Sequence, residues 1–344
     1  SLRLAGGHVG RAHLGGGPEV VGSFTTGGTE SIMMAVKAAR DRARERRPDL
    51  TSPTMVLPVT AHAAFHKAAH YFEVEAISVP ADTTTWKADV DAMAAACDDR
   101  TILLVGSAPN FPYGMVDPIG ELSEIAQRHD LWLHVDACVG GYLAPFAQRL
   151  GRPVPDFDFS LPGVRSISAD LHKYGFCPKP ASTVLYRDAA LAALQPFEFA
   201  GWPSGRFMTT TVVGTRPAGG VAASWAVLNH LGIDGYLRVA ERLLNGVDAY
   251  RAGLSAITGI RIVGAPDLAI VAYGSNELDP YTIGLRMGER GWLPSLLRRP
   301  KAVHRMMSML HVDTAAQYLA DLRAVVDAVR AQPDVRATVE ARYS

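Results

Sequence analysis

A chain of 344 residues is long enough for one large domain with a smaller one appended, each burying its own core. Thirty-four lysines and arginines balance thirty-four aspartates and glutamates, which argues against nucleic acid or an anionic membrane surface as partner, so any anionic ligand must be recognised locally. Cys97, Cys138 and Cys177 lie far apart with neither CxxC spacing nor a disulfide framework, so no metal site is expected and a reducing, cytoplasmic setting is.

No apolar run reaches the roughly 18 to 20 residues of a membrane span, so no transmembrane segment is expected. Ser1 stands where a methionine would, without a signal-peptide pattern, and the first strong motif follows soon after. A segment upstream of Ser1 is therefore expected.

In chain order, an amphipathic stretch over 31–46 leads to a strand-like run at 55–60. Further apolar runs at 101–106, 131–136, 166–168 and 182–186 predict strands, with helical patterns at 89–97 and 120–129 between them. This alternation predicts an α/β fold, a mainly parallel sheet with helices on both faces. The segment 197–220, rich in Gly, Pro and Thr and holding Trp202, reads as active-site or interface loops. Helices follow at 221–231 and 235–257, strands at 261–263 and 268–273, and helices at 280–290 and 313–331. The expected division is a large domain over 1–240 and a small α+β domain over 241–344.

Several of these junctions carry chemistry. Thr25-Thr-Gly-Gly-Thr-Glu-Ser31 precedes a helix; its glycines let backbone amides approach an anion, and the helix N-terminus adds a favourable dipole. Gly27, Gly28 and Thr29 would hold a phosphate, or Thr29 would simply cap the helix. His62, just past a strand in Thr60-Ala-His-Ala-Ala-Phe65, either stacks on a flat ring or satisfies a strand end. His66, Lys67 and His70 read as helix surface. Asn110 lies in a turn-rich loop after a strand and divides evenly between a ligand contact and a turn-forming role.

Leu131-Trp-Leu-His-Val-Asp136 is an apolar strand ending in an acid, and ligands of open α/β sheets sit at that edge. Asp136 could pair with a protonated ring nitrogen or cap the turn before Gly140 and Gly141. The segment Ser166-Ile-Ser-Ala-Asp-Leu-His-Lys-Tyr-Gly-Phe-Cys-Pro-Lys179 sets His172 and Lys173 after a strand and before a glycine turn. Taken alone, a lysine is most often a solvated charge. Val213-Gly-Thr-Arg-Pro-Ala-Gly-Gly220 is a glycine-rich loop.

Together, and in this order, these strings resemble those of the sphingosine-1-phosphate lyases within the group II decarboxylases that depend on pyridoxal 5′-phosphate (PLP). The resemblance implies the PLP-dependent transferase-like fold (fold type I), with a seven-stranded-type sheet and a small C-terminal domain. It makes Lys173 the Schiff-base lysine, Asp136 with Ala137 the partners of the pyridine ring, and His62 the residue stacked on it. Gly27, Gly28, Thr29, Ser168 and His172 would hold the cofactor phosphate, and Gly214 and Thr215 that of the neighbouring subunit in a homodimer with shared active sites.

Lys179 would take the phosphate of the substrate, and Asn110 would contact the substrate or the cofactor. The implied reaction is retro-aldol cleavage of a phosphorylated long-chain base to a long-chain aldehyde and phosphoethanolamine. An amino-acid decarboxylase and a catalytically idle PLP-binding relative are the alternatives. The chain departs from the family strings at Tyr113, where histidine is frequent, at Pro180, where glycine usually follows the lysine, and at Ala218.

Overall fold

The computed structural model describes residues 14–332 and 341. The chain divides into two compact units, one formed by the residues up to 110 with 116–236, the other by 111–115 with the residues from 237. Each has its own sheet.

The first unit is built on strands β1 (Val21–Thr25), β2 (Thr54–Pro58), β3 (Glu75–Val79), β4 (Thr101–Ser107), β5 (Trp132–Asp136), β6 (Val164–Ala169) and β7 (Ser182–Tyr186), in the order β1-β7-β6-β5-β4-β2-β3. From β3 through β6 every pairing is parallel, and β7 runs antiparallel to both of its neighbours. Strands β2, β4, β5 and β7 are buried along their whole length. That is why they read as short apolar runs and not as alternating patterns.

Helices α1 (Gly28–Arg46), α2 (Ala64–Phe72), α3 (Val90–Ala95), α4 (Ile119–Arg128), α5 (Ala144–Arg149) and α6 (Ala189–Ala192) connect them. Helix α1 sends Ile32, Ala35, Val36 and Ala39 into a core with Met55, Leu57, Phe65, Leu103 and Val105. Each larger aliphatic side chain there contributes about 1.5 to 3 kcal/mol when fully buried. Because β1 opposes β7 and β7 opposes β6, the end of β1 and the start of α1 share an edge with the carboxyl ends of β4, β5 and β6.

After β7, strands β8 (Phe197–Phe199) and β9 (Phe207–Thr209) form a small antiparallel hairpin. Helix α7 (Gly219–Ser255) is broken at Gly232, whose φ of 56° lies outside helical space, so the two helices expected at 221–231 and 235–257 follow one another directly.

The second unit contains β10 (Arg261–Ile262), β11 (Ile270–Gly274), α8 (Pro280–Glu289), β12 (Ser295–Arg298), β13 (Lys301–Met306), α9 (Met309–Asp313) and α10 (Ala315–Ala331). Its antiparallel sheet has the order β10-β11-β13-β12. Residues 111–115 join it: Asp267 N–H donates to the Gly114 carbonyl (3.0 Å), and His304 Nε2 lies 2.9 Å from the Phe111 carbonyl. The Tyr113 hydroxyl donates to the Arg299 carbonyl. Among the described residues no helix is long and apolar enough to cross a membrane, and no group of three His, Cys, Asp or Glu side chains could hold a metal ion.

Candidate active site

Strands β5 and β6 pair in register, His134 beside Ser166 and Asp136 beside Ser168. Side chains alternate along a strand, so Trp132, His134 and Asp136 share one face with Ser166 and Ser168. Asp136 ends its row at the carboxyl edge, where its Oδ1 accepts from the Cys138 N–H (3.0 Å) and from the Ser168 hydroxyl (3.2 Å). Burial alone would raise its pKa. The charges of His62 and Lys173, with the Cys138 hydrogen bonds, prevail and hold the carboxyl below its ordinary value.

Beyond β6 the chain turns tightly, with Lys173 N–H donating to the Asp170 carbonyl and Phe176 N–H to the Lys173 carbonyl. The turn brings Lys173 Nζ to 2.9 Å from Asp170 Oδ2. Burial works against the ammonium, but Cys138, Asp170 and Asp136 outweigh it and hold the amine above its ordinary pKa. The Cys138 thiol is itself pushed well above its ordinary value by burial and by the two carboxylates, so at neutral pH the aspartates supply the charge. His172 Nδ1 lies 2.7 Å from the Ala181 carbonyl and donates to it, while Nε2 is 3.5 Å from Asp170 Oδ2.

Asp170 is the residue that sequence reasoning passed over. It is almost fully buried, and its Oδ1 has no hydrogen-bond partner among the described residues. A signal was available, since Ser166, Ser168 and Asp170 repeat at a spacing of two and so continue the row that ends beside Asp136.

Opposite this row begins α1, with Gly27 as N-cap and no side chain closing its first turn. A Cβ on Gly28 would stand 2.6 Å from Cys138 Sγ and 3.0 Å from both Asp170 oxygens, so only glycine lets the helix start so close to the lysine and its partner. Glu30 reaches back to the Thr26 N–H (2.7 Å) and hydroxyl (2.9 Å), and also accepts from the Val213 N–H at 3.3 Å. That last bond ties Val213 to Glu30, and Gly214 and Thr215 just after it are exposed. The hydroxyls of Thr25, Ser31 and Ser182 join α1 to β1 and β7, at 2.6 and 2.9 Å.

One edge thus gathers Gly27, Gly28, Thr29, Asp136, Ala137, Ser168, His172 and Lys173, with His62 near enough to act on the Asp136 charge. His62 Nδ1 accepts from the Ala64 N–H at 3.1 Å. Two of the candidate side chains are engaged within the fold. Asn110 is fully buried, with its amide donated to the Trp86 carbonyl at 3.0 Å and to Asp117, which matches the structural one of the two roles the sequence left open. The Ser168 hydroxyl is engaged by His134 and Asp136 and not by the α1 N-terminus. Lys179 is exposed.

The arrangement suits a group with an anion at one end and a basic ring nitrogen at the other. An uncapped helix start lined by Gly28 offers amides to the anion, and a buried, ionised Asp136 offers a counter-charge to a protonated nitrogen. Asp170 holds the amine through Oδ2 and keeps Oδ1 without a partner among the described residues.

Comparison with known proteins agrees with this geometry. Residues 10–274 match the model of the pyridoxal-dependent decarboxylase conserved domain. The chain is 39% identical over 317 residues to the sphingosine-1-phosphate lyase of Oryza sativa subsp. japonica, covering 92% of this chain and 58% of the relative. With sphingosine-1-phosphate lyase 1 of Rattus norvegicus the identity is 40% over 326 residues, covering 94% and 57%. The chain therefore spans less than three-fifths of the length of these curated relatives.

Among solved structures, a sphingosine-1-phosphate lyase of Burkholderia pseudomallei superposes with a TM-score of 0.89 at 39% identity, covering 96% of this chain and 75% of that one. A glutamate decarboxylase of Lactobacillus brevis, at 22% identity and a TM-score of 0.80, shares the fold. The chain belongs to the pyridoxal-dependent decarboxylase family, has the fold type I architecture, and takes pyridoxal 5′-phosphate as its cofactor.

Proposed function

We propose that this chain acts as a PLP-dependent carbon–carbon lyase, cleaving a phosphorylated long-chain base of the sphingosine-1-phosphate kind to a long-chain aldehyde and phosphoethanolamine. The observation that carries the reading is the Lys173 amine, 2.9 Å from buried Asp170 at the edge where Asp136 ends β5. The choice of bond draws its support from the 39–40% identity to sphingosine-1-phosphate lyases.

Bound PLP supplies an electron sink next to the substrate amine. Lys173 is the amine that would hold the cofactor. Asp136, held anionic by its neighbours, is the stable partner for a protonated ring nitrogen. The amides at Gly27, Gly28 and Thr29, with His172, would hold the cofactor phosphate, and His62 would lie against its ring. The exposed amine of Lys179 meets the substrate phosphate.

The active form is a homodimer in which Gly214 and Thr215 of each chain reach the cofactor phosphate of the other. In its favour, Phe197, Phe199, Trp202, Met208 and Trp225 are all more than half exposed, an apolar surface that a second copy would cover. A sedimentation experiment that finds only monomer at working concentration removes this part of the reading. The three free cysteines fit a cytoplasmic compartment.

The reaction is tested by incubating the protein with PLP, sphingosine-1-phosphate and a panel of amino acids. Release of a long-chain aldehyde supports the lyase. Carbon dioxide from an amino acid replaces it with a decarboxylase, and cofactor absorbance without either product makes the chain an idle binder.

A further inference from the structure

Five polar side chains on the site's face of β5 and β6 join end to end. The Trp132 indole Nε1 lies 2.7 Å from Ser166 Oγ, which lies 2.7 Å from His134 Nδ1. On its other side, His134 Nε2 is 3.3 Å from Ser168 Oγ, and Ser168 Oγ is 3.2 Å from Asp136 Oδ1. Trp132, His134, Ser166 and Ser168 are wholly buried, so the chain runs from dry interior to the edge of the site, where Asp136 is 8% exposed.

The two ends determine the direction of every bond between them. An indole N–H can only donate, so Ser166 Oγ receives its hydrogen and has its own left to give. An ionised carboxylate can only accept, so Ser168 spends its single hydrogen on Asp136 and must accept from His134. Both requirements are met when the imidazole carries its hydrogen on Nε2 and leaves Nδ1 bare to accept from Ser166.

The other tautomer is worse at both ends: Ser166 would accept from Trp132 and His134 and lose His134 as acceptor for its own hydrogen, and Ser168 would have to turn its hydrogen away from Asp136 to meet a bare Nε2. Burial pushes the His134 imidazole down to about 4 against the pull of Asp136, so a single hydrogen is what it has to place at neutral pH. The Phe65 ring packs against the imidazole in an edge-to-face arrangement, with the ring centroids 5.8 Å apart.

We propose that His134 is a positioning residue for the cofactor-facing carboxylate: locked as the Nε2–H tautomer, it passes a one-way hydrogen-bond chain from the Trp132 indole to Asp136 Oδ1. The relay gives Oδ1 a second donor beside the Cys138 N–H, which holds the carboxylate both oriented and anionic. Its importance to the cofactor rests on the reading of Asp136 given above; its existence does not.

The tautomer is read directly by nitrogen NMR on full-length protein carrying ¹⁵N-labelled histidine, with and without PLP at neutral pH. The His134 signals are assigned by their loss in His134→Gln. The expected spectrum shows Nδ1 without a hydrogen and Nε2 with one, in both samples. A hydrogen on Nδ1, or on both nitrogens, overturns the proposal.

Substitutions then test the relay. In His134→Gln the side-chain oxygen can accept from Ser166 and the amide can donate to Ser168, so PLP affinity and the visible band of the bound cofactor stay as in the parent. His134→Met and Ser168→Ala break the chain; both are expected to weaken PLP binding about tenfold and to move the band toward that of Asp136→Asn. A methionine variant that matches the parent, or a glutamine variant that matches the methionine one, sinks the relay. If Asp136→Asn itself leaves affinity and spectrum unchanged, the reading of Asp136 falls instead, and the cofactor-free NMR spectrum still decides the tautomer.

Discussion

A methyl group at Gly28 would stand 2.6 Å from Cys138 Sγ and 3.0 Å from the Asp170 carboxylate, so Gly28→Ala must push the first turn of α1 away from the lysine. A loss of about tenfold or more in PLP affinity, read by fluorescence titration, is the expected result. Asp170→Asn addresses the other side of the same contact. The Lys173 ammonium loses the carboxylate at 2.9 Å that helps keep its pKa high, so the midpoint for acylation of Lys173, followed by mass spectrometry against pH, moves to lower pH. An unchanged midpoint would mean that Asp136 alone sets the charge. Lys173, Asp136 and Gly28 stand out in the sequence because each lies at a strand-to-turn junction within a string that resembles the family's, and the fold brings the three to one edge. Asp170 was passed over because an acid three residues before a lysine is common on any surface; the alternation Ser166, Ser168, Asp170 places it on the site's face, and burial with an unpartnered oxygen gives that placement its weight.

At the scale of elements, Glu30 is the tie between the start of α1 and the loop at 211–216. Glu30→Ala removes acceptors from the Thr26 N–H, the Thr26 hydroxyl and the Val213 N–H. A stability loss of about 1 to 2 kcal/mol is expected, together with faster limited proteolysis within that loop than in the parent protein. The central strands were legible for a simple reason: β4 and β5 are covered on both faces and consist of unbroken apolar residues. Strands β1 and β3 escaped prediction because they are the outer strands of the sheet, part-exposed and mixed in composition, as Val-Gly-Ser-Phe-Thr and Glu-Ala-Ile-Ser-Val show. The hairpin of β12 and β13 was hidden by the Arg298-Arg299-Pro300-Lys301 stretch at its turn, and β8 and β9 by their own exposure. Residues 111–115 show the limit of reading by neighbourhood, since their partners Asp267 and His304 lie far along the chain.

For the molecule as a whole, two buried histidines, one in each unit, predict how stability follows pH. Burial pushes both His134 and His304 down to about 4 from an ordinary 6.5, against the pull of Asp136 on the first and of the Phe111 carbonyl on the second. Between those values the unfolded chain binds a proton that the folded chain refuses. The contribution is therefore complete above pH 6.5 and is lost as pH falls toward 4, at about 3 kcal/mol for each histidine. Asp117 works the other way: burial raises its carboxyl to about 6, so it regains stability as pH falls below that value and offsets about one histidine's share, leaving a net loss. Asp136, whose pKa is lowered, adds its own loss only below this window. Urea unfolding at pH 7.5, 6, 5 and 4.5, followed by circular dichroism, is expected to show a midpoint that is flat at the alkaline end and falls steadily through the window. His304→Gln keeps a donor for the Phe111 carbonyl without a group that titrates, so the second unit should lose its part of the acid sensitivity while the first retains it. A midpoint that stays level down to pH 4.5 in the parent protein would mean that at least one of these imidazoles accepts a proton inside the fold at a pH well above 4.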